Sequence, residues 1–535
     1  MPMASSDQIS ASAIAPVGTW APLRRPLFRA LWLAQVASLV GTWAQTVGAQ
    51  WFLTEQSGRP EVIALVQTAT SLPVLLLALP AGVLADLVDR RRILLSTQVA
   101  MAVVAATLAV VAFAGWLTPV TLLAFTALLG VGVAVTSPAW QASVPELVSR
   151  PEVASAAALN GIAINVARSV GPALGGLIVS VAGVGWVFAF NALTYLAWIG
   201  ALWAWRPPLT RDRHDGERLG GGMRLALAYV RNSPAMQRVL ARTALWVLPA
   251  TALWALLPVV AATQLGLGST GYGALLGALG VDAVAGAASY GRLRAHMSPS
   301  RLLATAGGGY ALAMVVLALS QWVAPVVLVL LVAGAAWTCV LATLNSTAQL
   351  LLPGWVRARA LATYLVVFFG SQAVGSAAWG AVAGAASTSA ALLTAAGALI
   401  AGTLTLRLVR LPDPAGVDPG LSTHWPEPTL LLDAEPDTRS VMVMVEYRVP
   451  AAQVPAFVAA MEYVARSRRR TGARRWGLYR DGAEPDRFVE LYQVASWAEH
   501  LRQHEGRLTV SDRQREEAVR LLASGPPHAT HLFPA

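Results

Sequence analysis

The chain contains no lysine: all 39 of its basic residues are arginine. A phosphate-binding P-loop needs a lysine to reach the nucleotide phosphates, so no ATP-driven mechanism is encoded in these 535 residues. Schiff-base chemistry on a lysine amine is excluded for the same reason. Charge of either sign is scarce, at 13% of residues, where a soluble chain carries about 25%. The single cysteine, Cys339, rules out an internal disulfide and a cysteine-based metal cluster. Residues 1–20 lack the basic segment and apolar core of a signal peptide, so 1–28 is expected to be a cytoplasmic tail.

What is abundant is apolar sequence: 56% of residues are hydrophobic. Twelve stretches of about 20 residues or more, enough to cross a ~30 Å hydrocarbon core, fall near 29–53, 62–84, 93–114, 119–142, 154–180, 184–205, 239–263, 271–293, 301–320, 324–351, 358–383 and 387–408. Arginines crowd alternate connections. Arg24, Arg25 and Arg29 precede the first span, Arg90, Arg91 and Arg92 follow the second, and seven arginines lie between the sixth and seventh. The opposite connections hold one, Arg59. This positive-inside pattern places both termini in the cytoplasm of a bacterial inner-membrane protein. The net charge of +11 is read through that orientation and anionic lipid rather than nucleic acid, for which no module is visible.

The spans divide into six-helix halves, 29–205 and 239–408, around a polar segment, 206–238. Within that segment, 220–231 reads as an amphipathic surface helix touching lipid headgroups, and Ser233-Pro234 as a helix start. Pro145 before the fifth span is echoed by Pro353 before the eleventh, as in a repeated six-span unit.

The connection after the second span reads Gly82-Val83-Leu84-Ala85-Asp86-Leu87-Val88-Asp89-Arg90-Arg91-Arg92. A carboxylate followed by clustered arginines at a membrane edge can form charge-assisted pairs in one conformation and release them in another. This resembles the major facilitator signature G-x-L-A-D-R-x-G-R-R, with Leu87 in place of its first Arg and Asp89 in place of its second Gly. The resemblance implies a conformational gate at Gly82, Asp86, Asp89, Arg90 and Arg91; the plain alternative is positive-inside charge. In the fifth span, Gly171, Pro172, Gly175 and Gly176 resemble the G-P-x-x-G-G end of the family's antiporter motif, whose earlier glycines fall on Ala158 and Ala167. The run Ser137-Pro138-Ala139-Trp140-Gln141-Ala142, with Pro145-Glu146-Leu147-Val148 and Ala158-Leu159-Asn160-Gly161, is similar to the enterobactin-exporter-like transporters, or transmembrane secretion effectors. That resemblance implies export of siderophores or other bulky, often amphipathic, small molecules.

Two ionisable residues read as buried in spans, Arg168 and Asp282, and such residues are functional candidates. Their depths agree within a few Å, so a proton-carrying charge pair is one reading; separate structural roles are the other. Polar stripes at helical spacing nominate cavity-lining faces: Gln35, Ser38, Thr42 and Gln45; Thr338, Asn345 and Gln349; Tyr364, Phe368 and Gln372. Amides also join helices, so any one stripe is open to that second reading.

Residues 409–440 are rich in proline and acid, a linker composition. Beyond them, 441–535 reads as strand, helix, strand, strand, helix, strand, the ferredoxin-like order, and resembles the small antibiotic-biosynthesis-monooxygenase type domain, most clearly at Ser496–Glu505. His500 and His504 stand at i, i+4, but with no third ligand evident they read as exposed polar positions rather than a metal site.

The expectation is an all-α polytopic major facilitator fold of twelve helices with a small cytoplasmic α+β domain. Its function would be efflux of a small organic substrate in exchange for protons, without cofactor or metal. Self-association through the C-terminal domain is a further expectation. The alternatives are an importer, or a membrane-anchored oxygenase acting through 441–535.

Overall fold

The computed structural model describes residues 18–205, 219–413, 417–423, 425 and 440–534, apart from the side chains at 79, 83, 85–87, 219–223, 282–285, 287, 288 and 358. Much of the expected tail, central segment and linker (1–17, 206–218, 414–416, 424 and 426–439) therefore lies outside the described residues.

The first half comprises α1 (Pro26–Ser57), α2 (Pro60–Leu87), α3 (Arg90–Phe113), α4 (Pro119–Leu147), α5 (Val153–Ala182) and α6 (Val184–Ala204). After the short α7 (Leu219–Arg231) come α8 (Pro234–Thr263), α9 (Ser269–His296), α10 (Pro299–Leu319), α11 (Val323–Leu351), α12 (Gly354–Ala385) and α13 (Thr388–Leu404). Among the described residues, 11 helices are long and apolar enough to cross a membrane. The expected twelfth, α9, is a 28-residue helix whose central side chains, Asp282 included, are outside the description.

Local chemistry starts and stops these helices. Proline occupies the first position of α1, α2, α4, α8 and α10, where its missing N–H has no intrahelical partner to lose. Ser233 Oγ accepts from the Met236 N–H at 3.4 Å to cap α8, and Thr118 closes a capping box on α4. Pro145 lies inside the last turn of α4, whereas its counterpart Pro353 is the N-cap of α12, so the echo in sequence is not an echo in conformation. Each half packs internally: α1 against α5 and α6, α3 against α4 and α6, α10 against α11 and α13. The halves meet most extensively along two seams, α2 with α12 and α5 with α9, with smaller contacts of α1 and α2 on α8 and of α1 on α9.

The C-terminal region folds as β1 (Val441–Arg448), α14 (Val454–Thr471), β2 (Arg475–Arg480), β3 (Arg487–Val494), α15 (Trp497–Gly506), α16 (Val510–Arg520) and β4 (His528–Leu532). The sheet order is β2-β3-β1-β4 with every neighbour antiparallel, the ferredoxin-like arrangement. Val441, Val443, Val445 and Tyr447 alternate inward from β1 and pack with Phe457, Met461 and Val464 of α14. The single helix expected after Ser496 is two helices. Thr509 breaks it by capping α16, its hydroxyl accepting from Asp512 N while Asp512 accepts back from Thr509 N.

A buried ionic cluster ties this domain together. Arg468 Nε donates to Glu490 Oε1 at 3.0 Å and its NH1 to Glu516. Glu490 also accepts from Tyr447 and Trp476, and Glu516 from Trp425 at 2.7 Å. Trp425 belongs to the expected linker, which thus adheres to the domain in part; Ser422 N and Val510 N also bond across to Leu508 and Gly420 carbonyls.

The reading of α7 as a lipid-touching surface helix is corrected. Ala226, Tyr229 and Val230 are buried in protein, and α7 packs on α8, α12 and α14. Tyr229 meets Trp355 of α12 edge-on at 5.8 Å. Trp355 Nε1 in turn donates to the Arg507 carbonyl at 3.3 Å, beneath the Arg507 guanidinium. The apolar face is taken up by docking the C-terminal domain.

Arg468→Ala should therefore strand two buried carboxylates and destabilise the C-terminal domain by about 3–5 kcal/mol. Arg513→Ala, which removes an exposed pair with Glu517, should cost under about 1 kcal/mol. Thermal unfolding followed by near-UV signal checks this; equal midpoints for the two variants would refute it.

Candidate functional site

The seam between α5 and α9 is built from residues without bulk. A Cβ on Gly280 would lie 2.5 Å from the Arg168 carbonyl oxygen, and one on Gly273 2.5 Å from the Pro172 carbonyl oxygen. Gly176 faces the Ser269 carbonyl more closely still. Backbone therefore touches backbone, which apolar solvent on all sides does not enforce and only small side chains permit. Of the four residues nominated in α5, Gly176 and Pro172 meet α9, while Gly171 and Gly175 meet Val40, Trp43 and Ala44 of α1.

Hydrogen bonds across the seams gather toward the end of the bundle that carries the α1–α2 and α5–α6 turns. Thr68 Oγ1 lies 2.6 Å from Ser376 Oγ, Ser71 donates to Gln372 Oε1 at 3.2 Å, and Thr270 donates to Ser180 at 2.9 Å. Tyr272 donates to Gln50 and stacks on Trp51 at 6.1 Å. These contacts tie the two halves together at that far end. The near end is the one on which α7 and the C-terminal domain sit.

At mid-depth an aromatic run crosses from one half to the other. Arg168 lies over Trp43 of α1 at 5.8 Å, and Trp43 meets Trp254 of α8 at 5.9 Å. Trp254 meets Trp337 of α11 at 5.5 Å, Trp337 meets Phe368 of α12 at 6.4 Å, and Phe368 stacks on Tyr364 at 6.5 Å. Arg168 Nε is buried without a hydrogen-bond partner among the described residues. A guanidinium over an indole, beside further aromatic faces, suits an amphipathic ligand with anionic or carbonyl oxygens. Asp282 follows Gly280, where α9 touches Arg168, by two residues, but its side chain lies outside the described residues.

The nominated polar stripes divide. Gln372 is at the α2–α12 seam, accepting from Ser71, while Tyr364 and Phe368 stack on each other within the second half. Gln35 donates to Asn160 Oδ1 at 2.7 Å, Gln45 accepts from Asn191, and Thr42 lies 3.4 Å from the Tyr195 hydroxyl. These three join α1 to α5 and α6 within the first half. Asn345 and Gln349 are exposed and bonded to each other at 2.6 Å.

The nominated gate is likewise spent within one half in this conformation. Asp89 caps α3, accepting from Arg92 N at 2.9 Å. Arg90 pairs with Glu146 and donates to the Ala142 carbonyl at 2.8 Å, fastening α3 to α4. Arg91 reaches the Leu202 and Trp203 carbonyls of α6. A Cβ on Gly82 would meet nothing within 4 Å, and the Asp86 side chain lies outside the described residues.

A family model described as transmembrane secretion effector matches residues 17–533. The chain belongs to the transmembrane secretion effector family of major facilitator transporters. Among characterised proteins it is similar to the staphyloferrin A transporter of Staphylococcus aureus (strain NCTC 8325 / PS 47), 29% identical over 157 residues, which are 29% of this chain and 40% of that protein. It is also similar to macrolide efflux protein A of Streptococcus pyogenes, 25% identical over 179 residues, 33% of this chain and 42% of the other. The matches thus span about two fifths of the length of these relatives. Similar solved folds include the nucleoside transporter NupG (TM-score 0.60, 13% identity, 71% of this chain and 99% of that one). Another is a POT family transporter in complex with 5-aminolevulinic acid (TM-score 0.58, 13% identity, 72% and 96%).

Two features of this secretion effector escaped sequence reasoning. The tryptophans 43, 254 and 337 stand on three helices, and nothing in their spacing shows that they converge. Arg242, inside the seventh expected span, is buried and donates to the Gly402, Thr405 and Val409 carbonyls, locking α8 to the end of α13; an arginine three residues into a span was the available signal.

For the secretion effector fold, Gly176→Leu should abolish closure of the far end and with it transport, while Gly161→Ala, whose added methyl meets nothing within 4 Å, should leave transport unchanged. Insertion measured beside uptake into inverted vesicles checks this. Active, inserted Gly176→Leu protein would remove the seam from the mechanism.

Proposed function

We propose that this protein exports small amphipathic organic molecules, of siderophore or macrolide type, across a bacterial cytoplasmic membrane in exchange for protons. The observation that carries the reading is the cationic aromatic run at mid-depth, lying between two halves whose described cross-half hydrogen bonds gather toward the far end. Membership in the secretion effector family supports efflux, and the staphyloferrin A and macrolide relatives supply the substrate class. Substrate would enter from the near, cytoplasmic end, contact Trp43, Trp254, Trp337, Tyr364 and Phe368, and leave once the halves rock apart at the far end. The gate residues Gly82, Asp86, Asp89, Arg90 and Arg91 would exchange partners in that step. The arginine distribution supports cytoplasmic termini, so a reporter placed after Arg410 is expected on the cytoplasmic side. The six-plus-six division at 206–238, and self-association through 441–535, belong to the same proposal.

Asp282 and Arg168 are assigned the proton step. A carboxylate at mid-bilayer is costly to ionise unless a cation stands near, and protonation frees that cation for an anionic substrate group. Asp282→Asn is expected to lower proton-driven efflux roughly tenfold, the effect of about 1.4 kcal/mol, while sparing substrate counterflow. Arg168→Ala should impair both, because it removes the substrate contact and strands the acid. Gradient-driven efflux and counterflow in proteoliposomes separate these steps. Wild-type rates of both in Asp282→Asn would make the acid structural.

A further inference from the structure

A histidine cluster in the C-terminal domain takes no part in the proposed transport path. The i, i+4 pair His500 and His504 lies on α15, and β4, pairing beside β1, brings His531 against them. The expectation of exposed histidines without a third ligand is therefore corrected: His500 is fully buried, the other two are half-buried, and the third ring is supplied 31 positions away.

The geometry is convergent. His500 Nε2 lies 2.9 Å from His531 Nε2 and 3.1 Å from His504 Nε2. One ring nitrogen from each of the three falls within 4.8 Å of the others. Imidazole nitrogens bound tetrahedrally at about 2.0–2.1 Å from an ion stand roughly 3.3 Å apart, so small ring rotations suffice.

A hydrogen-bond chain sets the tautomer of the central ring. The Thr471 hydroxyl donates to the Ser467 carbonyl at 2.9 Å, so it accepts from Gln503 Nε2 at 3.3 Å. That turns Gln503 Oε1 toward His500 Nδ1, 3.4 Å away. An amide oxygen only accepts, so the His500 proton sits on Nδ1 and Nε2 presents its lone pair to the other two rings. One lone pair accepts one N–H well, yet two ring nitrogens approach it within hydrogen-bond distance. A cation drawing one lone pair from each ring satisfies all three.

The neutral imidazole is the form that binds metal. Trp497 packs on His500 at 5.3 Å and Trp425 edge-on to His504 at 4.5 Å, which limits how far either ring can swing. An all-imidazole set without carboxylate selects zinc, nickel or copper over magnesium or calcium.

We propose that His500, His504 and His531 form a site for a borderline divalent transition metal, zinc first, with the fourth position open to water. The site lies beside Arg507, which follows α15 and contacts Trp355 of α12. A bound ion would brace α15 against β4 next to the contact through which the soluble domain meets the membrane bundle.

The test is equilibrium dialysis of the full-length, detergent-purified chain, with any affinity tag removed, against zinc alone. One zinc per chain is expected, extractable by chelator. Cobalt in its place should give the intense visible bands of a tetrahedral centre. His531→Ala and, separately, His504→Gln should each weaken zinc binding by more than about tenfold, a loss that even outer-shell changes reach. His528→Ala, exposed on the same strand, should retain it. Two partner variants on different elements guard against simple misfolding, and the thermal midpoint of the C-terminal domain should rise with zinc in the wild type and in His528→Ala but in neither His531→Ala nor His504→Gln. No zinc bound by the wild type, or wild-type affinity in both His531→Ala and His504→Gln, would overturn the proposal.

Discussion

Backbone contact between α5 and α9 is the constraint on which the membrane architecture depends. In hydrocarbon, two helices gain nothing by hiding apolar surface from one another, so they associate through close packing and interhelical hydrogen bonds. Gly176 and Gly280 supply the closeness, because a side chain at either would run into the opposing backbone. The adjoining Thr270–Ser180 bond, and the Thr68–Ser376 bond on the matching α2–α12 seam, supply the rest. Both seams join one half to the other. Each half has its own core, filled by larger groups such as Trp246, Tyr310 and Trp337 in the second and Trp140 and Trp198 in the first, so the proposed rocking would leave both halves packed.

The same economy of contact explains the position of the charge. Arg168 lies where α5 meets α9, its carbonyl against Gly280. Trp43 shields one side of it. Arg242, by contrast, has its donors bound to the carbonyls at the end of α13 and so serves stability. The two arginines differ in that Arg242 donates to several carbonyls, whereas Arg168 Nε has no partner among the described residues. The C-terminal domain joins this frame through Tyr229, Trp355 and Arg507, and buried ion pairs around Arg468 link its sheet to α14 and α16.

Much of this was legible from sequence, for identifiable reasons. Spans announce themselves because charge is costly in hydrocarbon, and the strand and helix order of 441–535 is readable because half-buried strands and helices impose different periods. What sequence did not reveal is what each face meets. Gln35, Thr42 and Gln45 form a polar stripe, but they bond to Asn160, Tyr195 and Asn191 within one half. The apolar face of α7 meets α12 and α14 instead of lipid, since amphipathicity is blind to the nature of the apolar partner. His531 joined His500 only because β4 returns beside β1, a pairing set by sheet topology. Residues brought together by tertiary packing, such as Trp43 with Trp254, carry no periodic signature at all.

The central claim is that the far end seals and opens while the halves stay intact. Spin labels at Ser180→Cys and Thr270→Cys, which replace two side chains in hydrogen-bond contact, measure it directly, since the native Cys339 is buried. Pulsed dipolar distances should show a short population in the resting protein and a second, longer one when substrate and an acid exterior are supplied. Labels within the first half, on α3 and α6, should keep one distance throughout. A single short Ser180–Thr270 distance under every condition, in protein that still transports, would contradict the account.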